Sequence, residues 1–116
     1  MLKSLVDDIR AFNAERDWEK FHSPKNLAIA LVVEAGEVAE IFQWLTEEES
    51  RDLPPDTLAS VREELADALI YLLNLADRLD IDLREAARDK LNKNAEKYPA
   101  QIVRGKSLKY TEYEGS

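Results

Sequence analysis

Four acidic residues carry the chemical interest of this chain: Glu34 and Glu37, then Glu64 and Asp67. Each pair has the i, i+3 spacing that brings two side chains to one face of a helix. The surroundings of the first pair are unusual. Leu27, Ala30, Val33, Ile41, Trp44 and Leu45 share its arc, and Leu31, Val32, Val38 and Phe42 occupy the rest of the wheel, so no broad polar face receives the two charges. Ionised carboxylates held away from water are costly unless a cation or hydrogen-bond donors compensate. A bound divalent ion would do so; exposure at the helix edge, or pairing with Arg or Lys of a neighbouring element, is the plainer alternative.

Glu64, Asp67, Tyr71 and Asn74 form a second polar stripe, opposite Val61, Leu65, Ala68, Leu69, Leu72, Leu75 and Leu79. Alone it reads as a solvated face, with Glu63, Asp77 and Arg78 beside it. Facing Glu34 and Glu37 on an antiparallel neighbour, it would complete four carboxylates around an oxygen-liganded cation. The chain has no Cys and a single histidine, His22, so a typical zinc site lacks its ligands and Mg²⁺ fits best, with a structural Ca²⁺ as the alternative. Protein rarely encloses Mg²⁺ alone. Phosphate oxygens commonly complete its coordination, which points to a nucleotide or pyrophosphate substrate.

The elements that must hold these residues are helical. Leu2, Leu5, Val6, Ile9 and Phe12 recur at helical spacing and predict a first helix over 2–17. Ser23 and Pro24 supply an N-cap and a first-turn proline for a second helix over 24–46. Glu47 to Pro55 reads as a connector, after which Asp56 or Thr57 caps a third helix reaching Leu79. Asp82 with Glu85 opens a fourth helix that Pro99 ends, and 100–116 is a C-terminal tail. The expected architecture is all-α: an antiparallel bundle of about four main helices in one domain spanning 1–116.

Composition narrows the function classes. The 116 residues suffice for one domain, and three Gly and four Pro leave few turns for a sandwich or barrel. A formal charge of -8 argues against nucleic-acid polymers and anionic membranes as partners. The first residues lack the apolar core of a signal peptide, and Glu34 and Glu37 interrupt the longest apolar stretch, so a soluble cytoplasmic protein is expected.

The succession Glu34-Ala35-Gly36-Glu37 and then Glu64-Leu65-Ala66-Asp67 resembles the metal motif of the MazG-like superfamily of all-α nucleoside triphosphate pyrophosphohydrolases. The resemblance runs through Ala14 to His22, Ile41-Phe42-Gln43-Trp44, Lys97-Tyr98-Pro99 and Lys109-Tyr110-Thr111-Glu112, blocks similar to the dCTP pyrophosphatase branch. It implies Mg²⁺-dependent cleavage of dCTP, or a base-modified relative, to the monophosphate and pyrophosphate. Glu34, Glu37, Glu64 and Asp67 match the family's ligands and catalytic acids, and Glu63 falls to the outer edge.

Trp18, Phe21, His22 and Trp44 offer aromatic surface for a base, although each is also an ordinary packing residue. The resemblance favours Trp18, His22 and Trp44 as substrate contacts. It also favours Asn94, Lys97 and Tyr98 as phosphate contacts, where a solvated helix end is the alternative; Tyr71 would donate to a phosphate or simply close the polar stripe. The second helix is apolar on nearly every side and calls for a dimer or tetramer, the resemblance favouring a tetramer. A catalytically silent helical oligomerisation module, with its buried acids paired to basic residues across subunits, is the alternative function.

Overall fold

A computed structural model describes residues 2–105. Among them all regular structure is helical: α1 (Leu2–Glu15), a 3₁₀ turn (Glu19–Phe21), α2 (Pro24–Phe42), α3 (Glu47–Ser50), α4 (Pro55–Arg78), α5 (Leu83–Lys97) and α6 (Ala100–Val103). The chain divides into two compact units, one ending at Ile81 and the other beginning at Asp82.

In the first unit α2 packs chiefly on α4, and α1 also lies on α4. His22, just ahead of α2, meets Asn74 late in α4, whereas Glu34 and Glu37 further along α2 meet Glu64 earlier in α4. The two helices are therefore antiparallel. Ile9, Leu27, Val61, Leu73 and Ala76 are buried between the three long helices. Arg10 fastens α1 to α4, its Nε donating to Asp77 Oδ2 at 2.8 Å and its Nη2 to Asp77 Oδ1. That guanidinium holds the Asp77 carboxyl below the usual range. Arg78 Nη2 donates to the Glu19 carbonyl at 2.9 Å and ties the 3₁₀ turn to the same helix.

Local chemistry moves several predicted boundaries. The first helix stops at Glu15, short of residue 17, because Asp17 adopts a left-handed φ of 53° and the Trp18 amide reaches back to the Asn13 carbonyl at 3.0 Å. α4 ends the same way, with Asp80 at φ 55° and the Ile81 amide on the Ala76 carbonyl at 2.8 Å. Ser23 caps α2 as expected, accepting from the Asn26 amide. The second helix ends at Phe42 rather than 46, since Thr46 and Glu49 close a capping box that starts α3 in the expected connector. Trp44 and Leu45 thus lie outside α2. At α4 the N-cap is Pro54 and Pro55 occupies the first turn, so neither Asp56 nor Thr57 caps it.

The second unit contains α5, capped by the Asp82 side chain on the Glu85 amide, and ends that helix before Pro99 as predicted. Pro99 then starts α6, so residues 100–103 of the expected tail are helical. The segment Lys109 to Glu112 and the remaining tail beyond 105 lie outside the described residues. No helix among the described residues is long and apolar enough to cross a membrane.

Candidate active site

The antiparallel contact of α2 and α4 brings three of the four expected carboxylates together. One oxygen from each of Glu34, Glu37 and Glu64 lies within 4.8 Å of the others. All three side chains are half-buried, and Glu34 Oε2 and Glu64 Oε2 are sealed from solvent without a hydrogen-bond partner. Among the described residues no Lys or Arg forms an ion pair with any of them. Pairing to a described basic residue is therefore not how this charge is met. Orphaned, all-oxygen donors at this separation suit a hard divalent cation. Asp67 stands next to the triad, exposed, adding its negative charge to Glu34 and Glu64. Glu63 is exposed.

Crowding of like charge raises proton affinity. Burial, and then the neighbouring Glu37 carboxylate, push Glu34 above the ordinary carboxylate value. A hydrogen bond to Glu37, reinforced by burial and by its acidic neighbours, pushes Glu64 up to about 7. An acid whose folded-state pKa is raised contributes stability that is complete below its unfolded value of 4.5 and is lost as pH rises through about 7. The metal-free protein is accordingly expected to lose thermal stability across that window. Glu64→Gln, neutral throughout, should flatten this part of the profile, and Mg²⁺ added near pH 7 should displace protons into solution. Scanning calorimetry with and without EDTA reads the first effect, and titration in buffers of different ionisation enthalpy reads the second; an unchanged slope in Glu64→Gln would contradict the assignment.

Beside the triad lies a cavity of about 400 Å³ lined by α1, the residues leading to α2, and α4. Phe12, Trp18, His22 and Tyr71 form its aromatic walls, and Asp67 belongs to its lining as well as to the surroundings of the triad. Phe12 and Trp18 meet edge to face with centroids 5.6 Å apart, and Trp18 stands at 66° to His22. The Arg16 guanidinium lies over the Phe12 ring, 3.7 Å from its centroid. Three expected substrate residues, Trp18, His22 and Tyr71, thus line one cavity. By sequence Phe12 belongs to the apolar stripe of α1 and Asn74 to the polar stripe of Glu64 and Asp67, while Asn13 carries no signal; Asn13 and Asn74 are buried.

Trp44 is not in the cavity lining and is 86% exposed in the protomer. Asn94, Lys97 and Tyr98 sit at the C-terminal end of α5 in the second unit, where the Tyr98 amide donates to the Asn94 carbonyl at 2.8 Å. Outside its own helix backbone, no described residue lies within 4 Å of the place a Cβ on Gly36 would take.

A family model described as MazG-like matches residues 29–112. The dCTP pyrophosphatase 1 of Homo sapiens is 49% identical over 113 residues, 92% of this chain and 66% of that protein. The Mus musculus protein of the same name is 47% identical over 113 residues with the same coverage. The chain thus spans 66% of the length of these curated relatives. The crystal structure of a pyrophosphatase from Archaeoglobus fulgidus superposes with a TM-score of 0.79 at 43% identity, covering 84% of this chain and 91% of that one.

Proposed function

From the premise that this chain belongs to the MazG-like family, we propose that it is a Mg²⁺-dependent nucleoside triphosphate pyrophosphohydrolase that cleaves dCTP, or a base-modified dCTP, to the monophosphate and pyrophosphate. Its role is sanitation of the nucleotide pool, in the cytoplasm. The observation that carries the reading is the three-carboxylate cluster with two orphaned buried oxygens next to an aromatic cavity that shares Asp67. This pairs a place for phosphates with a place for a base.

Glu34, Glu37, Glu64 and Asp67 would hold the cation. When bound, such an ion neutralises phosphate charge and lowers the pKa of a water. Glu34 serves additionally as the proton acceptor for the attacking water, its proton affinity raised by burial and by its acidic neighbours. Trp18 flanks the base, and Tyr71 lines the same cavity. Asn94, Lys97 and Tyr98 bind phosphate oxygens. Calorimetric titration tests this reading against a silent oligomerisation module. Saturable heats are expected for Mg²⁺ and for dCTP, and their absence would favour the module.

The protomer leaves Ile29, Val32 and Val33 of α2 exposed, Val32 to 70%, together with Leu58, Leu65 and Leu69 of α4. Apolar area on this scale supports a homo-oligomer, a tetramer by family likeness, in which Trp44 and the end of α5 serve a neighbouring chain's site. Light scattering at micromolar concentration is expected to give a mass above 13.3 kDa. Mixing Glu34→Gln chains with Lys97→Ala chains should restore part of the activity. A fully active monomer would overturn the assembly, and an active oligomer without complementation would return the phosphate contacts to the same chain as the carboxylates.

A further inference from the structure

One buried polar group in the cavity wall that the mechanism above leaves unused is Asn74. It is 6% exposed, it lines the cavity, and its Nδ2 lies 3.2 Å from Nδ1 of His22. We propose that Asn74 is a positioning residue that fixes the tautomer of His22, holding Nδ1 as an acceptor so that the ring presents Nε2–H to the acceptor edge of cytosine. The proposal rests on the cytosine-nucleotide reading of the same cavity.

A neutral imidazole has one donor and one acceptor nitrogen, and the partner of one nitrogen decides what the other offers. An amide N–H on Nδ1 leaves the ring proton on Nε2. Nothing else among the described residues hydrogen-bonds the His22 side chain, so Nε2 is the nitrogen available to a ligand. The neighbours support one fixed ring. Trp18 packs edge to face against it with centroids 6.4 Å apart, and Asn74 is held in a well-packed turn of α4 between buried Leu73 and half-buried Leu75. Cytosine presents its N3 and O2 as acceptors, whereas uracil carries a proton on N3. A fixed donor can therefore pair with cytosine N3 and meets uracil N3 donor to donor, a mismatch that leaves buried polar groups unpaired. Asp8 and Asp67 are the acids lining the same cavity. Neither is hydrogen-bonded to the ring, which leaves the choice of tautomer to Asn74.

His22 is the chain's single histidine, so its ring nitrogens can be read without ambiguity of assignment. Long-range proton–nitrogen correlation spectra of the metal-free chain are expected to show a pyridine-type Nδ1 and a protonated, pyrrole-type Nε2 at neutral pH. Adding dCMP should shift Nε2 while Nδ1 stays pyridine-type, and dUMP should shift it less. In Asn74→Leu the two nitrogens should become exchange-averaged, and KM for dCTP should rise about tenfold with kcat changed by less than about twofold. A protonated Nδ1 or averaged nitrogens in the wild type would overturn the proposal. So would equal responses to dCMP and dUMP. Should Asn74→Leu fail to fold, the wild-type spectra and their nucleotide response still decide. The spectra need no turnover, so failure of the hydrolase reading would appear separately, as dCTP left uncleaved by a protein whose His22 behaves as described.

Discussion

Glu34→Gln, Glu37→Gln and Glu64→Gln are each expected to lower Mg²⁺-dependent turnover of dCTP by about a hundredfold or more while the helices remain intact. The size follows from the shared cluster: one carboxylate oxygen from each residue meets the other two within 4.8 Å, so any one substitution weakens the hold of all three on a common ion. The same substitutions should have the opposite effect on the metal-free fold. Burial of Glu34 Oε2 and Glu64 Oε2 without partners, among like charges, destabilises the ionised protein, and a neutral amide of the same shape relieves the repulsion. A raised melting temperature in EDTA combined with lost activity in Mg²⁺ distinguishes a ligand from a packing residue, because damage to the core would lower both. Asp67→Asn should also impair turnover strongly, from its place between triad and cavity. Exposed Glu63→Gln is the control and should retain near wild-type rates. Equal losses for Glu63 and Glu64 would contradict the assignment.

Trp18→Ala is expected to weaken dCTP binding by about 1 to 3 kcal/mol, the range for removing an aromatic ring that stacks on a base. Free pyrophosphate should bind nearly as before. Trp18 contacts both Phe12 and His22 in the cavity wall, so its loss opens the end that would hold the base and leaves the carboxylates in place. Parallel calorimetric titrations with dCTP and pyrophosphate make the comparison. If both ligands weaken equally, the cavity is not the base site. Trp44→Ala gives a separate reading: a selective loss of dCTP affinity from a residue 86% exposed in the protomer would require a neighbouring chain to bring it to the base.

The carboxylate cluster was legible because its physics is local. Glu34 and Glu37 had nowhere polar to point on α2, and the antiparallel partner with its own acidic stripe was the element able to answer them. Helix starts were legible for the same reason at Ser23 and Asp82, whose side chains cap the next turn. Helix ends were less so. Asp17 and Asp80 take left-handed conformations that glycine usually supplies, and Thr46 with Glu49 forms a capping box inside what reads as an acidic loop. The cavity was only half visible: the resemblance favoured Trp18 and His22, and Tyr71 stood on the polar stripe of α4, whereas by type alone each is an ordinary packing residue. Asn13 and Asn74 are polar on faces that become buried only when α1 crosses α4, a tertiary event that periodicity does not encode. The exposed apolar surface of α2 and α4 follows from a helix without a polar face, as the sequence required.

The most direct measurement of the central claim is a product analysis. Nucleoside triphosphates incubated with the protein and Mg²⁺, followed by phosphorus NMR, are expected to show dCTP, or a base-modified dCTP, converted to equal amounts of monophosphate and pyrophosphate, with conversion abolished by EDTA and by Glu34→Gln. Release of diphosphate and orthophosphate, undiminished activity in EDTA, or no conversion of any triphosphate in the panel would contradict it.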